Sequence, residues 1–337
     1  MGKCKQIVTE DCGITSQKRD ERIDSLKGGL IILVIVGHLL ELNIDSFGCN
    51  YAHNFIYLFH IPLFVFISGY VSNVNSKRFF VSTFSLLEIY FIYQVLYSLQ
   101  SLPAITINIS RPYLHLWYLP SLFIWRIIDY YTQIYKTKYI VLLSLTCAIL
   151  CGFVEQISYE FTLSRLIVFS FYYFLGRLCR EKNVVNKLFE LPHRLGYCFI
   201  VITLFALLFV TNLGRVVYCS QPYTILSSNI ITGCLIRISY MIYSTLLCAS
   251  IINCYKVSLF ANTVGKKSLP IYVYHAVLIL ITILLRKLID FPVNFVTSII
   301  SAITFAYAMI FLSKFIRFSI FLHPISYHIG KKLHLLV

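Results

Sequence analysis

The sequence predicts an all-α polytopic membrane protein with about ten transmembrane helices and both termini in the cytoplasm. Composition is the first reason. Of 337 residues, 58% are hydrophobic and 13% charged, against about 45–50% and about 25% in soluble domains. The second reason is that the apolar residues fall in ten runs along the whole length, at or near the roughly 20 residues that cross a bilayer. The third is charge placement. With the N-terminus inside, 22 of the 29 Lys and Arg residues fall in cytoplasmic segments. Four fall in outer loops, at Arg111, Arg215, Arg286 and Lys287, and three within or beside spans. That bias is the one that orients membrane proteins.

Taken in order, residues 1–21 are polar, with no apolar stretch leading to a cleavage site, and are expected to form a cytoplasmic segment rather than a signal peptide. A transmembrane domain is expected over 22–320. Its spans lie near 25–42, 55–73, 79–98, 115–133, 139–154, 161–179, 197–213, 229–252, 268–285 and 293–316. Residues 321–337 form a cytoplasmic tail. The loops are brief, and no repeat or low-complexity linker interrupts them. The bilayer is thus one partner. The net charge of +15 is accounted for by the cytoplasmic loops and not by nucleic acid, because the basic residues form no long run. The eleven cysteines are scattered with no CxxC pair and read as small apolar fillers, not a disulfide or zinc framework.

Ionisable residues at membrane depth mark functional sites by default. Here they are His38, Glu41, His60, Glu88, His115, Arg126, Asp129, Arg165, Arg237 and His275. In the first span, "RIDSLKGGLIILVIVGH", Lys27 and His38 are eleven residues apart. Eleven residues make three turns plus about 20°, so the two share a face roughly 16 Å apart along the axis. Glu41, three residues on, lies where it can hold or polarise the imidazole. Two readings stand: Lys27 as a snorkelling anchor with His38 as an interhelical hydrogen-bonder, or the three residues as a functional set.

The second span, "FHIPLFVFISGY", places His60 at about the depth of His38. Its Pro62 loosens the helix, which is tolerated only against protein or a watery cavity, and its Ser68 and Gly69 permit close helix approach. The fourth, "HLWYLPSLFIWR", sets His115 and Trp117 at the outer interface, where aromatic belts are ordinary. Arg126 and Asp129, three apart, are expected to neutralise each other. The ninth, "LPIYVYHAVL", carries His275, which either bonds across helices or serves the site. Arg237 needs a partner, with Glu88 and a substrate group both open.

The sequence contains no P-loop, GxGxxG, GxSxG or HExxH pattern, which weakens nucleotide-driven, dinucleotide and hydrolase readings and makes a zinc site unexpected. No metal ligand is assigned.

Five ordered stretches carry a resemblance: the basic residue, ten intervening residues and His of the first span (Lys27 to His38); "FHIPLFVFISGY"; the pair Lys77 and Arg78; "HLWYLPSLFIWR"; and "IYVYHAVL". Over about residues 22–280 the chain resembles the integral-membrane acyltransferase 3 family, and within it the O-acetyltransferases of bacterial surface polysaccharides. The resemblance implies a multi-pass protein of the bacterial inner membrane. It would take acetyl from cytoplasmic acetyl-CoA, a co-substrate rather than a bound cofactor, and pass it to a sugar hydroxyl of a lipid-linked or polymeric glycan such as O-antigen or capsule. It makes Lys27 and His38 the essential pair. One departure is that no further Arg follows Lys77 and Arg78 in "FFVSTFSLLE".

On this reading Lys27, Lys77 and Arg78 hold the CoA phosphates, and His38 is a general base or an acyl carrier, oriented by Glu41. His60, His115 and His275 meet the sugar or the developing oxyanion, and Trp117 or Tyr118 stacks on a sugar ring. The rival is a polysaccharide flippase or other transporter, equally polytopic and basic inside, though matched broken helices are not evident. Which sugar, which hydroxyl and which acyl length are not written in the residues.

Overall fold

The computed structural model describes residues 20–98, 110–210 and 213–332. Most of the expected N-terminal segment and the end of the expected tail lie outside the described residues. Those described are helical, with no strand. In order the helices are α1 (Glu21–Glu41), α2 (Phe47–Val71), α3 (Phe79–Ser98), α4 (Tyr118–Tyr131), α5 (Thr137–Leu150), α6 (Leu163–Glu181), α7 (Val184–Glu190) and α8 (His193–Ala206). Then follow α9 (Gly214–Val217), α10 (Tyr223–Leu226), α11 (Ile230–Cys254), α12 (Leu259–Lys266), α13 (Ser268–Ile289), α14 (Phe295–Leu312), α15 (Phe318–Leu322) and α16 (Pro324–Lys332). A 3-10 turn, Leu114–Trp117, leads into α4.

Every one of the ten apolar runs carries helix, but the runs are not alike. Six helices, α1, α2, α3, α11, α13 and α14, are long and apolar enough to cross a membrane. A seventh span requires α7 and α8 together, bent by 91°. The helices of the other three runs are shorter or more highly charged. α4 and α5 are each 14 residues long, and α6, although 19 residues, carries Arg165, Arg177, Arg180 and Glu181. A helix with four charges gets its place from packing against protein, not from lipid.

α1 is the axis. It starts at Asp20, whose carboxylate accepts from Arg22 N at 2.9 Å, an N-cap that satisfies an orphan donor of the first turn. From there α1 is buried along most of its length. Two close crossings fix its neighbours. At α1 against α12, a Cβ on Gly28 would meet the Ala261 carbonyl at 1.8 Å, and one on Gly265 would meet the Asp24 carbonyl at 1.8 Å. At α2 against α6, a Cβ on Gly69 would meet the Tyr173 carbonyl at 1.9 Å, and one on Gly176 the Phe66 carbonyl at 2.0 Å. Within lipid there is no hydrophobic drive between helices, so backbone-to-backbone approach of this kind is how they associate. The close approach expected at Gly69 is present. Pro62 sits inside α2, which runs unbroken to Val71.

The expected Arg126–Asp129 pair is not formed, and of the two partners left open for Arg237, Glu88 is not the one it meets. Asp129 bonds Arg177 Nη1 at 2.8 Å and accepts Ser72 Oγ at 2.8 Å and Tyr173 OH at 3.2 Å. Arg126 turns the other way, donating to Ser82 Oγ at 2.9 Å and lying 4.8 Å from the Phe79 ring centroid. Three residues along a helix are about 60° apart, enough for one side chain to face α6 and the other α3. Glu88 does not meet Arg237. It accepts from Ile325 N at 2.5 Å and Ser326 N at 2.9 Å, capping α16. Arg237 is fully buried, donates to the Gln221 carbonyl at 2.9 Å and lies 5.5 Å from the Tyr223 ring centroid.

Candidate active site

The last turn of α1 carries His38 and Glu41, and helical spacing alone brings them together. His38 Nδ1 lies 3.1 Å from Glu41 Oε2. A carboxylate only accepts, so Nδ1 carries the hydrogen and the neutral ring presents a lone pair on Nε2. Glu41 is itself held. Its Oε1 accepts from Tyr57 OH and from Tyr218 OH, each at 2.6 Å, and His53 Nε2 lies 3.5 Å away. His53, Tyr57 and His60 recur along one face of α2. The Tyr57 ring stacks on His53 at 3.9 Å and meets the His60 ring at 4.4 Å, and His60 Nδ1 donates to the Ile56 carbonyl at 2.8 Å.

From His38 a column of rings runs toward the Lys27 end of the bundle. The His38 and His275 rings are 5.5 Å apart, His275 and His115 4.1 Å, His115 and Tyr272 5.0 Å, and Tyr272 and Tyr118 5.7 Å. His275 Nδ1 donates to the Tyr272 carbonyl at 2.5 Å, which leaves Nε2 as an acceptor. That Nε2 and both ring nitrogens of His115 are buried with no hydrogen-bond partner of good geometry. Buried polar atoms left unpaired are costly, so the column has unused bonding capacity.

Cavities lie at both ends of the column. At the Lys27 end is one of about 550 Å³. Lys27, Arg78 and Arg126 line it with several serines, Tyr118 and Tyr272, and no carboxylate among the described residues lines it. A second cavity, about 870 Å³, is also bordered by Lys27, with Arg180, but Asp20 and Asp24 border it too. At the His38 end is a cavity of about 330 Å³, lined by His38, Glu41, His60, Trp117, Arg165 and Tyr218 among others. A smaller one of about 190 Å³ lies against His38 and the apolar face of α13.

The residues singled out in the sequence therefore divide. His38, Glu41, His60 and Trp117 share the His38-end cavity. Lys27 and Arg78 share the carboxylate-free cavity. Lys77 is exposed and lines neither. Tyr118 meets the Trp117 ring at 6.1 Å but does not share its cavity. It faces the Lys27-end cavity and bonds Ser68 Oγ at 2.6 Å. His115 and Trp117, expected at the membrane interface, are buried at 2% and 8% exposure, and His115 stands with His275 in the column. Three residues emerge only here, His53, Tyr57 and Tyr218; Arg126 and Arg165, already marked as ionisable residues at membrane depth, line the Lys27-end and His38-end cavities. The recurrence of His53, Tyr57 and His60 at spacings of four and three was a signal for Tyr57. Tyr218 follows a helix of four residues and had none. Among the described residues no group of three or more His, Cys, Asp or Glu is arranged to hold a metal ion.

A site with a fixed imidazole between two cavities is suited to transfer between two substrates. Comparison with known proteins now applies to residues 20–311, which match an acyltransferase domain, acyltransferase 3. The chain belongs to this acyltransferase family. The ordered stretches from Lys27 to "IYVYHAVL" thus pointed to the right family. Two curated proteins with the name Nodulation protein NolL are similar over short stretches. The Sinorhizobium fredii protein is 46% identical over 71 residues, 20% of this chain and 19% of its own length. The Mesorhizobium japonicum protein is 46% identical over 66 residues, 18% of each chain. The matched stretches cover about a fifth of these relatives. No solved structure matches the chain.

Proposed function

We propose that this acyltransferase-family protein is an O-acyltransferase of the bacterial inner membrane, moving acetyl from cytoplasmic acetyl-CoA to a hydroxyl of a cell-surface polysaccharide such as O-antigen or capsule. The observation that carries this reading is the placement of His38. Its Nδ1 is tied to Glu41, and its ring ends a column that begins at a basic, carboxylate-free cavity.

Acetyl-CoA enters at the Lys27 end. Its phosphates pair with Lys27, Arg78 and Arg126, where no carboxylate among the described residues lines the cavity. The pantetheine arm spans the roughly 16 Å from Lys27 to His38 past Tyr118 and Tyr272, and the thioester carbonyl oxygen accepts from the single ring N–H of a neutral His115. The acceptor sugar occupies the His38-end cavity against Trp117. His38 Nε2 takes the proton of the acceptor hydroxyl as its oxygen attacks the thioester carbon. The C–S bond then breaks, and the CoA thiolate receives that proton. Glu41 keeps the imidazole in the required tautomer and stabilises the imidazolium while it exists.

The test is label transfer. Purified protein in nanodiscs is given radiolabelled acetyl-CoA and crude surface glycan. Alkali-labile label on the glycan, lost in His38→Ala, supports the reading. Movement of lipid-linked glycan across the bilayer with no label transferred replaces it with the transporter.

A further inference from the structure

One cation at the His38 end has no role in this scheme. Arg165 stands in the first turn of α6, the positive end of the helix dipole, and no Asp or Glu pairs with it among the described residues. Both nearby carboxylates are spent. Glu41 is occupied by His38, Tyr57 and Tyr218. Glu160 accepts from Ser110 Oγ and Arg111 Nε, each at 2.5 Å. The guanidinium carbon lies 5.1 Å from the Trp117 ring centroid, 5.5 Å from Tyr159 and 5.8 Å from Tyr218. Its Nε donates to the Tyr218 carbonyl at 3.2 Å, so the two terminal nitrogens remain to face the cavity that Arg165 lines with His38.

We propose that Arg165 is an acceptor-binding residue that takes an anionic oxygen group, so that the natural acceptor carries a carboxylate or phosphate close to the hydroxyl that is acylated. Three aromatic rings hold the guanidinium plane fixed, and a planar two-nitrogen edge matches two oxygens of a carboxylate or phosphate. A bound anion also answers the two costs of the present arrangement: a partly desolvated cation at membrane depth, and its position at the positive end of a helix. The oxyanion could belong to the sugar, as a uronate, or to a lipid carrier, as a phosphate. This inference rests on the His38-end cavity being the acceptor site of the proposed acyltransferase.

Binding alone, without turnover, separates the two claims. Calorimetric titration of the full chain in nanodiscs uses four probes: trigalacturonate, its methyl ester, a short-chain polyprenyl phosphate and the matching polyprenol. The expected result is one anionic probe bound about tenfold or more tightly than its neutral counterpart. The preference should be lost in Arg165→Gln and partly kept in Arg165→Lys. Preference for trigalacturonate assigns the sugar carboxylate, and preference for the phosphate assigns the carrier. Equal binding of charged and neutral probes by the wild-type chain, binding of neither, or a preference that survives Arg165→Gln overturns the proposal. The wild-type comparison needs no variant to fold. Loss of label transfer from acetyl-CoA with the anionic preference intact would overturn the acyltransferase reading and leave the anion site standing.

Discussion

His38 and Glu41 make a base out of two residues that a single helical turn places together. The bond between them, 3.1 Å, needs no other part of the fold, yet its value depends on two tyrosines that come from elsewhere. Removing the imidazole removes the proton acceptor. His38→Ala should lower the transfer rate by about 10²–10⁴-fold while the protein still inserts, as read by label transfer and by gel filtration of the detergent-extracted protein. Glu41→Gln keeps the shape but loses the charge, and its amide can present a hydrogen to Nδ1 and so favour the wrong tautomer. It should lower kcat by about tenfold or more with little change in the KM for acetyl-CoA. Tyr218→Phe removes one of the two hydroxyls on Oε1 and should cost only a few-fold, on the scale of one net hydrogen bond. A Glu41→Gln rate equal to wild type would show that Glu41 only packs.

Among the elements, the site depends on two crossings. α2 against α6 sets Tyr57 and His60 opposite Arg165, and α1 against α12 locks the axis on which Lys27 and His38 are measured. Each crossing has a glycine on both partners with a facing carbonyl under 2.1 Å from where a Cβ would stand. Gly69→Ala and Gly265→Ala should therefore force the helices apart, at a cost of about 1–3 kcal/mol or more, seen as a lower thermal midpoint in detergent. Gly48→Ala, where nothing lies within 4 Å, is the control and should leave the midpoint unchanged. Two loops close the His38 end. Phe161 N donates to the Ser110 carbonyl at 2.6 Å. The Glu160 carboxyl in that clasp is held below its ordinary value by the Ser110 hydroxyl and the Arg111 guanidinium. With its folded value depressed, the clasp is intact above the ordinary carboxylate range and is lost only as pH falls through that lower value.

Across the whole molecule, the two ends differ in charge and in the kind of cavity they hold. The carboxylate-free cavity bordered by Lys27, Arg78 and Arg126 should govern the donor and not the acceptor. Arg126→Gln, or Arg78→Gln, should raise the KM for acetyl-CoA by up to about tenfold each and leave the KM for glycan unchanged. An unchanged donor KM in both would move the CoA site to the neighbouring cavity with Arg180. The lysine and arginine bias predicts which end faces the cytoplasm. A cysteine placed at Lys77 should react with an impermeant maleimide only after cells are opened, and one placed at Arg111 should react in intact cells.

The sequence alone determined where the helices of the ten apolar runs form, because apolar runs are read without knowing their neighbours, but not the short helices α7, α9, α10, α12, α15 and α16 outside those runs. It also determined the Lys27, His38 and Glu41 face, because that geometry is internal to one helix. The order of its motifs determined the family. Which helices are long enough to span was decided by bends and charges that only packing tolerates, as at α6 and at the 91° break between α7 and α8. Which partner Asp129 and Glu88 take was decided by which helix each one faces. The Glu41 cradle and the Arg165 cation were decided by tertiary structure as well. Tyr218 lies 177 residues along the chain from Glu41, and no periodicity in one segment encodes a contact with another so distant. Local spacing fixes angles around a single axis; the position of one axis against the next comes from close packing, here at the glycine crossings.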